Sequence, residues 1–260
     1  MKLIGDLIVL SKNLVDQYEK EGYLNKIPVF DKDKATMFRS HFDSMVEIEG
    51  LQNKNIKREL HNRHIDQDYV WDVAISSEVL DVVESLIGEN IFLIGSRFVC
   101  KWPGDDHYVP WHQDSRYQEL NPPCQVSVWI AIDDCDIDNG CLYVIPGSNN
   151  KGLVEHKKAE GNNVLVFNEV SLKQSDEEAA IPLELKAGEM SVFHGDVIHG
   201  SPLNQSTRRR CGLVFRYVPT WVKPNIEGMW PSVLVRGTNK EKNFPNITRC
   251  DGLNFKYITK

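Results

Sequence analysis

The sequence predicts an α+β chain, helical in its first third and folded as an antiparallel sandwich or barrel after that. Three observations carry this. Ser76 to Ile87 repeats apolar residues at helical spacing, with Val79, Val82, Val83, Leu86 and Ile87 on one stripe, a Ser ahead of it and Gly88 behind. Beyond Gly88 the pattern breaks into short strand-like runs separated by Gly, Pro and Asn turns. No internal repeat, low-complexity linker or composition shift interrupts the chain.

Taken in order, Leu7 to Tyr23 reads as a helix with Leu10, Leu14, Val15 and Tyr18 on its buried side and a turn at Glu21-Gly22. Tyr23 to Phe30 is extended. Asp31 to Ile48 is helical, with Asp31 or Asp33 as N-cap and Gly50 as the stop. Asn53 to Asp68 is polar and without periodicity, a loop or lid in which His61 and His64 are read as solvated. Strands are expected at Ile91–Trp102, Val126–Ile132, Cys141–Ile145, Val164–Phe167, Ile181–Leu185, Glu189–His194 and Cys211–Val218. Asn139-Gly140 is a hairpin signal, and Pro146-Gly147 and Ala187-Gly188 mark turns. The expected organisation is one domain over 1–260: a mostly helical part at 1–90, the β core at 91–220 and a C-terminal extension at 221–260.

The bulk numbers exclude some functions. The formal net charge is -7 over 260 residues and the sequence pI is about 5.6. That argues against a nucleic-acid partner, whose binding surfaces are basic. No apolar run approaches the ~20 residues that span a bilayer, so no membrane partner is expected. The start, Met1-Lys2-Leu3-Ile4-Gly5-Asp6, places an acid inside its short apolar stretch, unlike a secretory signal. Cys100, Cys124, Cys135, Cys141, Cys211 and Cys250 form no C-x-x-C pair and read as free thiols of a cytoplasmic protein.

The chemistry is centred on Trp111-His112-Gln113-Asp114. On an extended strand His112 and Asp114 project from one face and can reach one metal. A third ligand can come from Phe193-His194-Gly195-Asp196-Val197-Ile198-His199-Gly200-Ser201. His199 is preferred to His194, because Gly200 lets backbone approach a ligand closely. Two His and one carboxylate leave metal positions open, the arrangement of non-haem Fe(II) oxygenases. Arg208 and Arg209 read as solvated. Arg210 enters a strand directly and can point inward, where its planar fork matches a carboxylate, with Ser201 adding a hydroxyl.

Four ordered segments carry a resemblance: Trp111-His112-Gln113-Asp114; Val128-Trp129-Ile130-Ala131-Ile132-Asp133-Asp134; Asp138-Asn139-Gly140-Cys141-Leu142-Tyr143-Val144-Ile145-Pro146-Gly147-Ser148; and Ile198-His199-Gly200-Ser201-Pro202-Leu203-Asn204-Gln205-Ser206, ending at Arg210. Together they resemble the phytanoyl-CoA dioxygenase family of Fe(II)/2-oxoglutarate oxygenases. The resemblance implies a double-stranded β-helix (jelly-roll, cupin-like) core with the N-terminal helices packed outside. It implies His112, Asp114 and His199 as iron ligands and catalytic centre, and Arg210 with Ser201 on the distal carboxylate of 2-oxoglutarate. Trp129 and Phe98 fall where family members line the cosubstrate pocket, or else are core aromatics. The cofactors implied are Fe(II), 2-oxoglutarate and O2. The implied reaction is hydroxylation of an unactivated C–H bond on a small-molecule substrate, with release of succinate and CO2. A basic or amide residue that some members supply from upstream has no legible counterpart.

Two alternatives stand beside this reading. One keeps the cofactors but changes the outcome to ring closure, desaturation, epoxidation or halogenation; related halogenases lack the carboxylate, and Asp114 is present. The other is a catalytically inactive cupin-like binding protein. Finally, Arg210, Gly212, Val214 and Arg216 share parity on one strand. If Arg210 points inward, Arg216 does too, toward an anion on the substrate or an internal acid.

Overall fold

The computed structural model describes residues 2–4, 7–51, 60–161, 164–226, 231–245 and 247–249, with side chains from residue 9 onward. The N-terminal part contains β1 (Lys2–Ile4), β2 (Leu7–Val9), α1 (Lys12–Glu21), β3 (Tyr23–Pro28), α2 (Lys32–Ile48), α3 (Asp68–Ala74) and α4 (Ser77–Ile87). Then follow β4 (Ile91–Lys101), β5 (Val109–His112), α5 (Ser115–Gln118), β6 (Leu120–Asn121), β7 (Val126–Ala131) and β8 (Leu142–Val144). After a short 3-10 turn come β9 (Lys157–Lys158), β10 (Asn168–Glu169), α6 (Gln174–Glu178), β11 (Ile181–Leu183), β12 (Glu189–His194), β13 (His199–Ser201), β14 (Arg210–Pro219), β15 (Lys223–Pro224) and β16 (Val233–Arg236).

Two antiparallel sheets form the jelly-roll. The larger runs β16-β4-β14-β7-β12-β3 and the smaller β11-β8-β13-β5. Strand alternation gives the larger sheet two apolar faces. On one face Leu93, Phe98, Val128, Ile130, Val192, Leu213 and Phe215 pack against Phe38, Phe42, Met45, Val79 and Val83 of α2 and α4. On the other, Trp129, Ala131, Phe193 and Val214 meet Leu142, Val144 and Leu183 of the smaller sheet. A strand buried on both faces reads as a continuous apolar run, as in Val126–Ala131, where every residue is buried. The helices therefore sit outside the jelly-roll, as the resemblance implied.

Local chemistry explains most boundaries. Asp31 caps α2 by accepting from the Lys34 N–H at 2.8 Å. Gly22 ends α1 in the left-handed region, its N–H on the Tyr18 carbonyl. The expected first helix starts later than its pattern suggested, because Leu7–Val9 pairs with Lys2–Ile4 as a strand. Helix α3 was not legible: it is seven residues long, too short for periodicity to show. Asn139-Gly140 is a turn but not a hairpin, since β7 and β8 belong to different sheets. Val164–Phe167 is not a strand; Val164 makes a single bridge to Tyr108.

Two further expectations are corrected. His64 is fully buried rather than solvated, with Nδ1 2.7 Å from Ser96 Oγ; His61 is exposed. Residues 52–59 of that expected loop lie outside the described residues, as do Cys250 and residues 227–230, 246 and 251–260 of the C-terminal extension. Cys100 and Cys211 are not free: they face each other across β4 and β14 and are joined as a disulfide. Cys124, Cys135 and Cys141 are free.

Candidate metal and cosubstrate site

The site lies between the two sheets. His112 ends β5 and His199 begins β13, and the two are direct cross-strand partners. Their ring centroids are 4.1 Å apart. Asp114 is not on that strand, which corrects the same-face expectation. The chain leaves β5 after His112 and Asp114 adopts helical φ/ψ ahead of α5. The bend is held by Gln113, whose amide donates to the Gly152 and Asp196 carbonyls at 2.8 and 2.7 Å and accepts from the Val154 N–H at 2.8 Å. The result still brings ligand atoms of His112, Asp114 and His199 within 4.8 Å of one another.

Each imidazole is fixed by its own backbone. His112 Nδ1 lies 2.9 Å from the Pro110 carbonyl, and His199 Nδ1 lies 2.9 Å from that of Val197. Because a carbonyl only accepts, both Nδ1 atoms carry the proton and both Nε2 atoms keep a free lone pair. Burial, then the neighbouring His199, pushes His112 down to about 3. Burial likewise lowers His199. Burial raises Asp114, but Arg216 and the two imidazoles outweigh it, and the carboxyl is held well below the usual range. Ser127 donates to Asp114 Oδ2 at 2.6 Å, and Arg216 Nη2 donates to Oδ1 at 3.1 Å. Two neutral nitrogens and one ionised carboxylate, all buried, fit Fe(II) and leave coordination positions open.

Arg210 lies inside the same cavity, 1% exposed. Its Nε and Nη2 donate to the Gly140 carbonyl at 3.0 and 2.7 Å, and Nη2 also to Ser201 Oγ at 3.0 Å. The guanidinium sits over the Trp129 ring, 5.6 Å from its centroid. Two glycines make this possible. A Cβ on Gly212 would stand 2.1 Å from the Trp129 ring. Gly140 has φ +75° and a Cβ there would meet the Pro202 carbonyl at 2.6 Å.

Phe98 is a correction. It faces the helices and packs on Phe42 with centroids 4.7 Å apart, whereas its strand neighbours Arg97 and Val99 line the cavity. The expectation was one residue out of phase, and on a strand that changes the face. Arg209 is also not simply solvated. It bridges Asp133 through Nε and Nη2 at 2.8 and 3.0 Å and contacts Asp43. Arg208, by contrast, is exposed beside Asp136. His194 is not part of the metal-capable cluster; its Nδ1 accepts from the Asp196 N–H.

Sequence reasoning missed Arg97 and Lys101, both on β4. Lys101 is fully buried, and its amine donates to Ser201 Oγ at 2.7 Å, to the Ser201 carbonyl at 3.0 Å and to the Pro202 carbonyl. Burial, then the charge of Arg210, holds that amine well below its ordinary range. Burial, then Arg216, lowers Arg97 to about 10. The signal available was parity. Arg97, Val99 and Lys101 alternate with apolar residues of the helix-facing side.

Residues 8–212 match the phytanoyl-CoA dioxygenase (PhyH) family, and the chain belongs to it. It is thus an Fe(II)- and 2-oxoglutarate-dependent dioxygenase with O2 as co-reactant. A phytanoyl-CoA dioxygenase of Arabidopsis thaliana is 29% identical over 218 residues, covering 82% of this chain and 74% of the relative. An L-proline trans-4-hydroxylase of Streptomyces griseoviridis is 26% identical over 178 residues, covering 62% and 66%. Among solved structures, the non-heme monooxygenase ThoJ in its apo form superposes with a TM-score of 0.80 at 22% identity, covering 93% of this chain and 92% of that one. CytC3 with Fe(II) and alpha-ketoglutarate gives 0.72 at 23% identity, covering 97% and 98%.

Proposed function

We propose that this protein hydroxylates an unactivated C–H bond of a small molecule, such as an amino acid, an aminophosphonate or a natural-product intermediate, releasing succinate and CO2. The observation that carries the reading is the seating of Asp114. Its carboxylate lies against both imidazoles, held by Ser127 and Arg216. It occupies the position a halide needs, which favours hydroxylation over halogenation. The relative named for trans-4-hydroxylation of L-proline supports the same outcome. Ring closure, desaturation or epoxidation with the same cofactors is the second reading, since the ligand set does not distinguish them.

His112, Asp114 and His199 would hold Fe(II), which when bound supplies oxygen activation coupled to decarboxylation of 2-oxoglutarate. The protein's own part is orientation and water exclusion. Arg210 and Ser201 would take the distal carboxylate of 2-oxoglutarate, with Trp129 along its chain. Arg216 would contact the substrate beside Asp114. The partner is then a small molecule rather than nucleic acid or membrane. Among the described residues, no helix is long and apolar enough to cross a membrane.

The test is succinate release from 2-oxoglutarate with and without Fe(II), followed by a screen for compounds that stimulate it. Release that ignores iron would favour an inactive binding protein. Stimulated release whose product lacks a new hydroxyl would favour the second reading.

A further inference from the structure

Metal and cosubstrate do not balance the charge of the cavity. Among its described lining residues there is one acid, Asp114, against three guanidinium groups, Arg97, Arg210 and Arg216. The imidazoles are neutral. Three guanidinium groups and a divalent metal outweigh Asp114 and the two carboxylates of 2-oxoglutarate by two charges. Arg210 is accounted for by the cosubstrate. The excess therefore belongs to Arg97 and Arg216.

These two are neighbours by construction. Arg97 on β4 pairs with Val214 on β14, and Arg216 pairs with Gly95. They are thus diagonal partners on one face of an antiparallel pair, a spacing of roughly 7–8 Å that long side chains close easily. The register shift of β14 falls after Arg216, so parity is kept between the two. Both side chains line the cavity with the metal-capable residues.

Neither is saturated. Among the described residues Arg97 reaches the Leu165 carbonyl alone, from Nη1 and Nη2, at 3.4 Å each. Arg216 has its bond to Asp114 Oδ1, while its buried Nε has no hydrogen-bond partner among the described residues. A guanidinium carries five N–H donors. Both are half-buried, and two like charges placed together with donors unused are costly where water is largely excluded. Arg210, a few residues away, uses Nε and both Nη atoms on protein acceptors. The contrast separates a guanidinium held in place from a pair left open toward the cavity.

We propose that Arg97 and Arg216 form a second anion site, distinct from the Arg210 carboxylate anchor, which binds a carboxylate, phosphonate or phosphate group of the substrate. The proposal deepens the hydroxylase reading, on which it rests, by fixing the class of substrate as anionic. Planar forks on adjacent strands suit an oxyanion with two or three oxygens. Held there beside Asp114, the anion would fix which carbon of the substrate faces the metal.

The experiment loads the protein with Mn(II) and 2-oxoglutarate and titrates inorganic phosphate, then methylphosphonate, by calorimetry. Saturable binding at one site is expected. Arg97→Gln should weaken it about thirtyfold or more, the size seen when one partner of a buried charge pair is removed. Arg97→Lys should restore part of it. Mn(II) and 2-oxoglutarate affinities, measured on the same variant, should change little, because the side-chain hydrogen bonds of Arg97 go to the Leu165 carbonyl and not to a metal-capable residue. Arg216→Gln should weaken anion binding as well, with Mn(II) affinity recorded separately because of its bond to Asp114.

No binding to the parent, or binding indifferent to both substitutions, overturns the proposal; if weak binding is indifferent to them, the probe is an adventitious ion only. Loss of 2-oxoglutarate affinity in Arg97→Gln would make Arg97 a cosubstrate anchor and also overturns it. The two readings fail separately. Turnover of an uncharged substrate that Arg97→Gln leaves intact removes the anion site and keeps the hydroxylase. Phosphate binding that needs both arginines, without iron-dependent succinate from any compound, keeps the anion site and removes the hydroxylase.

Discussion

The two ends of the cavity hold their polar groups by different means. At the metal end, His112 and His199 spend Nδ1 on a carbonyl and leave Nε2 free, and Asp114 spends Oδ2 on Ser127. Each imidazole is oriented by one contact, and Asp114 by two, since Arg216 also donates to its Oδ1. At the other end, Arg210 is surrounded by neutral acceptors, the Gly140 and Val99 carbonyls and the Ser201 hydroxyl. These fix the fork without cancelling its charge. Arg209, one residue earlier, shows the opposite solution, its charge cancelled by Asp133 and Asp43. Orientation and neutralisation are separate jobs, and a ligand is needed only where the first is done without the second.

The largest expected effects are at the metal end. His112→Ala, Asp114→Ala or His199→Ala should each lower Mn(II) or Fe(II) affinity by well over ~100-fold, since removing partners of ligands alone costs about 10–100-fold. Iron-dependent succinate release should fall to background, with the fold retained by circular dichroism. Near-normal metal affinity in any of the three would remove that residue from the ligand set.

Next comes the contrast between neighbours. Arg210→Ala should weaken 2-oxoglutarate binding by roughly 2–5 kcal/mol, the range for leaving a buried charge without its partner. Arg209→Ala should leave that affinity alone but cost about 1–3 kcal/mol of stability, because Asp133 and Asp43 lose their fork. Titration of 2-oxoglutarate and urea unfolding on both variants separate the effects. An exchange of the two phenotypes would refute the assignment of faces on β14.

The same contrast shows what the sequence could and could not reveal. That His112, Asp114 and His199 come together and that Arg210 turns inward was legible because ligand chemistry restricts residue types, although Asp114 arrives by the bend after β5 and not by strand parity. That helices come first and strands follow was legible in the switch of hydrophobic period at Gly88, whereas the packing of the helices outside was what the resemblance implied. Phe98 was misplaced because resemblance locates a pocket only to within a residue, while a strand reverses faces at every step. Lys101 and Arg97 were illegible for a related reason. A basic residue in an apolar strand marks an edge as readily as a cavity, and only the pairing of β4 with β14 decides. His64 sat in a polar stretch without periodicity, where nothing local signals burial.

Lys101 sharpens the comparison at a smaller scale. Lys101 Nζ and Arg210 Nη2 both donate to Ser201 Oγ, at 2.7 and 3.0 Å. A hydroxyl accepts twice and donates once. With both lone pairs used, the Ser201 proton is left to point toward a ligand. Lys101→Met should therefore weaken 2-oxoglutarate binding about tenfold, in line with one hydrogen bond to a charged group. It should act mainly through Ser201, so in a Ser201→Ala background the effect should largely vanish. Full additivity of the two substitutions would show that Lys101 acts by another route.

The last effect concerns stability alone, at a buried group with neither metal nor anion in prospect. His64 gives one ring nitrogen to Ser96 Oγ, and its buried Nε2 has no hydrogen-bond partner among the described residues. Burial, then the charge of Arg249, pushes it down to about 3, against about 6.5 for a free imidazole. Between those values the unfolded chain binds a proton that the folded chain refuses. Stability therefore falls as pH drops from about 6.5 toward about 3, by about 1.4 kcal/mol per pH unit for one such group, and His64 adds no pH dependence above that window. His112 and His199 titrate in the same direction, so the parent alone cannot isolate His64. Urea midpoints of the metal-free parent and of His64→Gln at about pH 7 and about pH 5 can, because the other two imidazoles are common to both. The parent should lose more stability over that interval than His64→Gln. Equal losses would mean that His64 accepts a proton in the fold, and that burial there carries no charge penalty.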